Sequence, residues 1–283
     1  MKRLLNTLYV MTQGAYLKKE GETVCVRIEG ETKLRVPIIT ISSIVCFGNI
    51  FISPPLMGYC TKNGVTISFL SIYGRFVARV QGPVAGNVLL RKEQYRISDN
   101  PDRSSDIARS CVLAKISNCR TLIMKAARDH SETIDKGNAK EVAEKLKKNM
   151  EELSVEKRLE NIRGIEGDSA KIYFSFFDRC IIAQKEDFFF RERNRRPPID
   201  RVNALLSFVY TMLYHDIRSA LETCGLDPAV GFLHRDRPGR MSLALDMMEE
   251  FRPFFADRLV LSLVNLQRCR VKIFLYPAPA LSE

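Results

Sequence analysis

Over the first eighty residues, short apolar runs alternate with turn residues, the pattern of β-strands. Strands are predicted over 7–11, 23–28, 34–39, 44–46, 65–70 and 76–80, with turns at Glu20-Gly21, Glu29-Gly30, Asn63-Gly64 and Tyr73-Gly74. In 23–28, Val24, Val26 and Ile28 alternate with Thr23, Cys25 and Arg27, which predicts one buried face. Ser53-Pro54-Pro55 suits the start of a short helix, because proline fits a first helical turn. Gln81-Gly-Pro-Val-Ala-Gly-Asn87 reads as a linker.

Beyond that linker the apolar period lengthens. Residues 107–127 carry apolar side chains at helical spacing. Residues 139–159 are rich in Lys and Glu, with a thin stripe of Val142, Leu146, Met150 and Leu153, which predicts a helix exposed over most of its surface. Asp200 precedes a long periodic run that stops at Cys224-Gly225, an acidic cap and a glycine stop. A further helix is predicted from Ser242, as N-cap, to a stop at Pro253. Strands followed by helices predict an α+β chain with segregated domains. These are a small β domain over 1–80, a linker over 81–87 and a larger all-helical domain over 88–283.

The polar residues on this frame suggest chemistry. His234 ends the loop Gly231-Phe-Leu-His234, just ahead of a helix on which Asp246 and Glu249 share one face. An acidic pair beside an imidazole can hold a divalent cation; the same spacing also suits a solvated helix face with an incidental histidine. Arg191, Arg193, Arg195 and Arg196 follow Phe188-Phe189-Phe190. Guanidinium groups suit phosphate oxygens and would position DNA without reading its sequence, whereas the alternative is a solvated loop over core phenylalanines. Arg235, Arg237 and Arg240 flank His234 and suit the same role. His130 and His215 lie in no such motif.

Composition narrows the partners. The 283 residues carry a net charge of +11, which points to a polyanion: nucleic acid first, an anionic membrane surface second. No apolar run reaches the length of a membrane span, and the start, Met1-Lys-Arg-Leu-Leu-Asn-Thr, lacks the apolar stretch of a signal peptide. Eight cysteines without a C-x-x-C pair predict reduced, buried thiols and a cytoplasmic protein.

Three segments occur in a specific order: Gly164-Ile-Glu166-Gly-Asp168, Arg195-Arg196-Pro197-Pro198-Ile-Asp200-Arg-Val-Asn203-Ala-Leu-Leu-Ser207, and Gly231-Phe-Leu-His234 with Ser242-Leu-Ala-Leu-Asp246-Met-Met-Glu249. Together they resemble the CRISPR-associated integrase family (CRISPR-associated protein one), the larger subunit of the spacer-acquisition machinery. The overall pattern is nearest the type I-C branch. The resemblance runs from the N-terminus to about Gln267, after which the chain departs from the family, as if shortened or replaced, with packing or DNA contacts expected to suffer.

The resemblance implies a β domain that dimerises and a helical domain that binds Mn2+ or Mg2+. It implies Glu166, His234 and Glu249 as metal ligands and Asp246 as a further catalytic acid one helical turn away. Asp168 and Asp236 are read as structural or solvated. The implied reaction is attack of a protospacer 3′-hydroxyl on a phosphodiester of the CRISPR array, or nicking with water. The implied partners are double-stranded DNA, a second copy of the chain and a small ferredoxin-like CRISPR adaptation protein, with no membrane. Two other readings stay open: a catalytically weak DNA-binding scaffold damaged by its altered C-terminus, and a phosphoesterase on small substrates, against which the arginine density speaks.

Overall fold

A computed structural model describes residues 6–82, 87–195 and 197–274. Arg196, residues 83–86 of the predicted linker and residues 275–283 at the C-terminal end lie outside the described residues. The chain divides into two compact units, Met1–Asn87 with Glu222–Gly225, and Val88–Leu221 with Leu226–Glu283. Strands precede helices, the α+β order that the patterning predicts.

The first unit holds strands β1 (Asn6–Val10), β2 (Tyr16–Glu20), β3 (Thr23–Ile28), β4 (Glu31–Pro37), β5 (Ile41–Phe47), β6 (Phe51–Ile52), β7 (Thr66–Leu70) and β8 (Phe76–Val80). Helix α1 (Pro54–Lys62) is inserted between β6 and β7. One sheet has the order β1-β5-β7-β8 and the other β4-β3-β2-β6. Glu29 and Gly30 both take positive φ (51° and 85°), the two-residue turn that matches strand twist and joins β3 to β4. Ser53 caps α1, its Oγ accepting from Leu56 N at 3.4 Å.

β2 and the two-residue β6 lie in none of the predicted runs. β2, Tyr-Leu-Lys-Lys-Glu, has one fully buried side chain, Leu17, and is held by backbone pairing with β3 on one side and β6 on the other. β3 also departs from strict alternation: Val24, Cys25 and Val26 are all buried, so both of its faces are covered at the centre.

The second unit holds α2 (Val88–Ser98), α3 (Pro101–Asp129), α4 (Lys136–Val155), α5 (Leu159–Phe177), α6 (Arg201–Thr223) up to Leu221, α7 (Ser242–Phe251) and α8 (Arg258–Asn265). Asn100 caps α3, accepting from Arg103 N at 3.0 Å, and Pro101 opens the first turn. Ala108, Cys111, Val112, Lys115, Ile116, Cys119 and Ile123 form the buried stripe of α3, with a lysine in its midst. α4 buries Val142, Leu146 and Leu153 on the predicted thin stripe. Asp200 caps α6, accepting from Asn203 N at 2.7 Å, and Gly225 takes a φ of 82° just past its end.

Pro253 does not end the structure that follows α7. A π-helical turn, Arg252–Asp257, carries the chain directly into α8. Wider i to i+5 bonding accommodates a residue that has no N–H to give. All eight cysteines are free thiols and all but Cys224 are buried. No helix among the described residues is long and apolar enough to cross a membrane.

Candidate active site

The loop before α7 is built around a carboxylate. Asp246 is fully buried, and its Oδ2 accepts from Phe232 N at 2.6 Å and Leu233 N at 2.9 Å. Its Oδ1 accepts from His234 N at 2.9 Å and from His234 Nδ1 at 2.6 Å. A carboxylate can only accept here, so Nδ1 carries a proton, and in the neutral imidazole the lone pair is then on Nε2. Gly231 is required by this clasp, since a Cβ there would lie 2.7 Å from Asp246 Oδ2 and 2.7 Å from Ser242 Cβ. Ser242 is the first helical residue rather than the cap; its hydroxyl donates instead to Arg235 O at 3.2 Å and closes the far end of the loop. Arg163 Nε donates to Leu233 O at 2.5 Å from α5.

Glu249, one turn beyond Asp246, is also buried. Its Oε1 pairs with Arg252 Nη1 at 2.7 Å and lies 4.0 Å from His234 Nε2. Its Oε2 is in ionic contact with Lys115 Nζ at 2.6 Å but makes no hydrogen bond of good geometry. Burial pushes the Glu249 carboxyl up, but the charges of Arg252 and Lys115 outweigh it and hold the group at about 2. Lys115 also donates a short hydrogen bond to Glu166 Oε1 and so bridges the two carboxylates. As the side chains stand, no three His, Cys, Asp or Glu groups among the described residues form a metal-holding cluster.

Glu166 sits mid-way along α5 between Gly164 and Gly167, and a Cβ at either glycine would meet nothing within 4 Å. Both glycine positions are therefore open. A cavity of about 480 Å³ lies against Glu166, lined among others by Lys115, Glu166, Arg191, Arg193, Arg195 and Arg252 but not by either glycine. Tyr173, Tyr210 and Asp257 form its buried wall. Tyr173 and Tyr210 donate to Asp257 Oδ2 and Oδ1 at 2.8 and 2.7 Å. Burial raises the Asp257 carboxyl to about 6 despite these bonds and the charges of Arg252 and Arg193.

The arginine run is set by the second motif. Asn203, fully buried, donates to Asp200 Oδ2 at 2.6 Å and accepts from Arg193 Nη1 at 2.6 Å and Asn194 N at 3.1 Å. Arg193 thus clamps the segment, reaching Ser207 Oγ at 3.3 Å and lying over the Tyr210 ring. Arg191 and Arg195 are exposed. Phe188 and Phe190 are core residues, while Phe189 is exposed under Arg191.

The predicted residues do not all meet. Glu166, His234, Asp246 and Glu249 are linked through direct contacts and Lys115, and three of the predicted arginines line the adjoining cavity. Arg235, Arg237 and Arg240 do not line it; Arg235 pairs with Glu160 at 2.9 Å and Arg237 is exposed. Asp168 is exposed and accepts from Asn149 at 2.9 Å, and Asp236 is exposed. Lys115 and Arg252 were missed. Lys115 had one legible signal, a charge between Cys111 and Cys119 on the buried stripe of α3, and Arg252 lies three residues after Glu249.

Comparison with known proteins places this geometry in context. Residues 8–278 match the family model described as CRISPR associated protein Cas1, a match that continues past Gln267. The chain is 54% identical over 274 residues to a CRISPR-associated endonuclease Cas1 of Chlorobaculum tepidum, covering 97% of this chain and 80% of that one. It is 49% identical over 278 residues to a CRISPR-associated endonuclease Cas1 of Rhodospirillum rubrum, covering 97% and 80%. Its fold is similar to the solved structure of a CAS1 protein from Thermotoga maritima, with a TM-score of 0.77 and 26% identity over 94% of this chain and 81% of that one.

Proposed function

Since the chain belongs to the CRISPR-associated Cas1 family, we propose that it is a DNA endonuclease and integrase of CRISPR adaptation. In this reading it joins the 3′-hydroxyl of a short protospacer duplex to a phosphodiester of the CRISPR array. The observation that carries the reading is the histidine clasp. Asp246 engages Nδ1 of His234, so the Nε2 lone pair faces Glu249 across 4.0 Å. That is the carboxylate–imidazole arrangement that presents a ring nitrogen to a metal.

The donor set fits Mn2+ or Mg2+. It offers two carboxylates, one imidazole and a buried Glu249 Oε2 without a hydrogen bond. Glu166, His234 and Glu249 would hold the ion. A bound divalent cation would offset phosphodiester charge and lower the pKa of an attacking hydroxyl. Asp246 fixes the orientation of His234, and Arg252 pairs with Glu249 Oε1, the oxygen that faces His234 Nε2, and holds that carboxylate in place. Arg191 and Arg195, on the cavity beside Glu166, suit the DNA backbone, and the open positions at Gly164 and Gly167, outside that cavity, leave room for a further close approach along α5. The proposed partners are double-stranded DNA, a second copy of this chain through the β unit, and a small ferredoxin-like CRISPR adaptation protein, in the cytoplasm.

The test is strand transfer of a labelled protospacer duplex into a supercoiled plasmid carrying the repeat, in Mn2+. Joined product supports the reading. DNA binding with neither joining nor nicking would favour the scaffold alternative.

A further inference from the structure

Lysine is an unusual tenant of a helix core. Lys115 lies on the buried stripe of α3, and its side chain is 8% exposed. An ammonium is tolerated at such depth only where opposite charge and hydrogen bonds replace water. Two carboxylates do so here, Glu166 from α5 and Glu249 from α7. They are two of the three groups proposed above as metal ligands. Arg252 faces Glu249 from the other side, so two cations already balance two carboxylates in this cluster.

A divalent ion drawing on both carboxylates would therefore meet a resident positive charge in contact with each. Coulomb repulsion between a unit charge and a divalent ion a few ångströms apart is large in a buried setting. The lysine stem is flexible, and the cavity of about 480 Å³ that Lys115 lines gives its head group room to withdraw. We propose that Lys115 is an internal cation that competes with the divalent metal for Glu166 and Glu249, so that metal uptake requires its displacement. This inference rests on the metal-binding reading of the site. In this scheme Lys115 lowers metal affinity while holding the two carboxylates together in the metal-free protein.

The experiment is a Mn2+ titration of the full chain by calorimetry, with free Mn2+ followed by its electron paramagnetic resonance signal. Lys115→Met removes the competing charge and keeps an unbranched stem; it is expected to bind Mn2+ at least ~10-fold more tightly than the unaltered protein. Its melting temperature without metal should be lower, and Mn2+ should raise it by more than in the unaltered chain. Lys115→Arg keeps the charge and should bind Mn2+ no more tightly than the unaltered chain. Equal or weaker binding by Lys115→Met would overturn the proposal. No Mn2+ binding by any of the proteins would instead overturn the metal reading beneath it. Should Lys115→Met fail to fold, the lysine Nζ resonances of the unaltered protein can be followed during titration with diamagnetic Mg2+. The Lys115 signal, assigned with Lys115→Arg, should shift as Mg2+ binds, and an unmoved signal at saturation would overturn displacement.

Discussion

Two carboxylates in the helical unit are buried to the same degree yet held in opposite ways. Glu249 faces Lys115 and Arg252 and titrates at about 2. Asp257, in the next turns of the same chain segment, receives its direct bonds from two phenols and titrates at about 6. Burial pushes both upward; the charge of the touching partner decides the outcome. A carboxylate kept ionised by touching cations suits ligation of a metal. One held by neutral donors suits a structural joint between α5, α6 and the π-helical turn.

The largest effect should separate the two sites by activity. Glu249→Ala or His234→Ala is expected to lower Mn2+-dependent strand transfer by more than ~100-fold, with most DNA affinity retained in a binding assay. Asp246→Asn disturbs only the histidine tautomer and the loop, and should lower activity by ~10–100-fold. Full activity in both ligand variants would dismiss this site as the reaction centre.

Stability should separate the sites by partner type. Arg252→Ala leaves Glu249 short of one buried cation and is expected to destabilise the metal-free chain by about 3–5 kcal/mol in urea denaturation. Tyr173→Phe withdraws one neutral donor from Asp257 and should lower stability by about 1–3 kcal/mol. If the two losses were equal, the contrast between charged and neutral partners would fail.

The two groups should also give pH dependences of opposite sign. The folded pKa of Asp257 is raised from 3.8 to about 6, so its contribution is fullest below the unfolded value and declines as pH rises toward 6. The folded pKa of Glu249 is lowered from 4.5 to about 2, so its contribution is present above 4.5 and is lost as pH falls toward 2. Each contribution is on the order of 3 kcal/mol, since a tenfold change in proton affinity corresponds to ~1.4 kcal/mol. Denaturation midpoints across pH 2–7 in Asp257→Asn and Glu249→Gln should each lose one limb of that profile.

The exposed arginines of the run should have a smaller effect, seen in DNA binding alone. Replacing Arg191 and Arg195 with alanine is expected to flatten the salt dependence of duplex affinity by ~2 in log–log slope, at roughly 0.9 per phosphate contact. Only Arg191 and Arg195 are exposed for that purpose, since Arg193 clamps Asn203. An unchanged slope in a folded variant would move the DNA surface to Arg235, Arg237 and Arg240.

The smallest effect concerns the glycine-bearing face of α5. Gly164→Ala and Gly167→Ala meet open space, so each should stabilise the helix by roughly 0.5–1 kcal/mol. If DNA backbone approaches that face, the same variants lose strand-transfer activity while gaining stability. A gain in stability with activity intact would mean that nothing docks there.

Much of the fold and site was legible in the linear chain. The extent of β3, the Glu29-Gly30 turn, the Asp200 cap and the spacing of Asp246 and Glu249 are local, and short-range sterics and periodicity express them directly. The motif that ends in His234 was legible as chemistry because a loop imidazole and a helical acid pair lie within one short stretch. β2 was not, because backbone pairing on both sides rather than apolar side chains holds it. Nor did Pro253 announce a π-helical turn instead of a stop. The placement of Lys115 between Glu166 and Glu249 was decided only by tertiary packing. α3, α5 and α7 each contribute one of these charges, and only the close approach of three buried helix faces makes an ammonium in a core less unfavourable than two unpaired carboxylates.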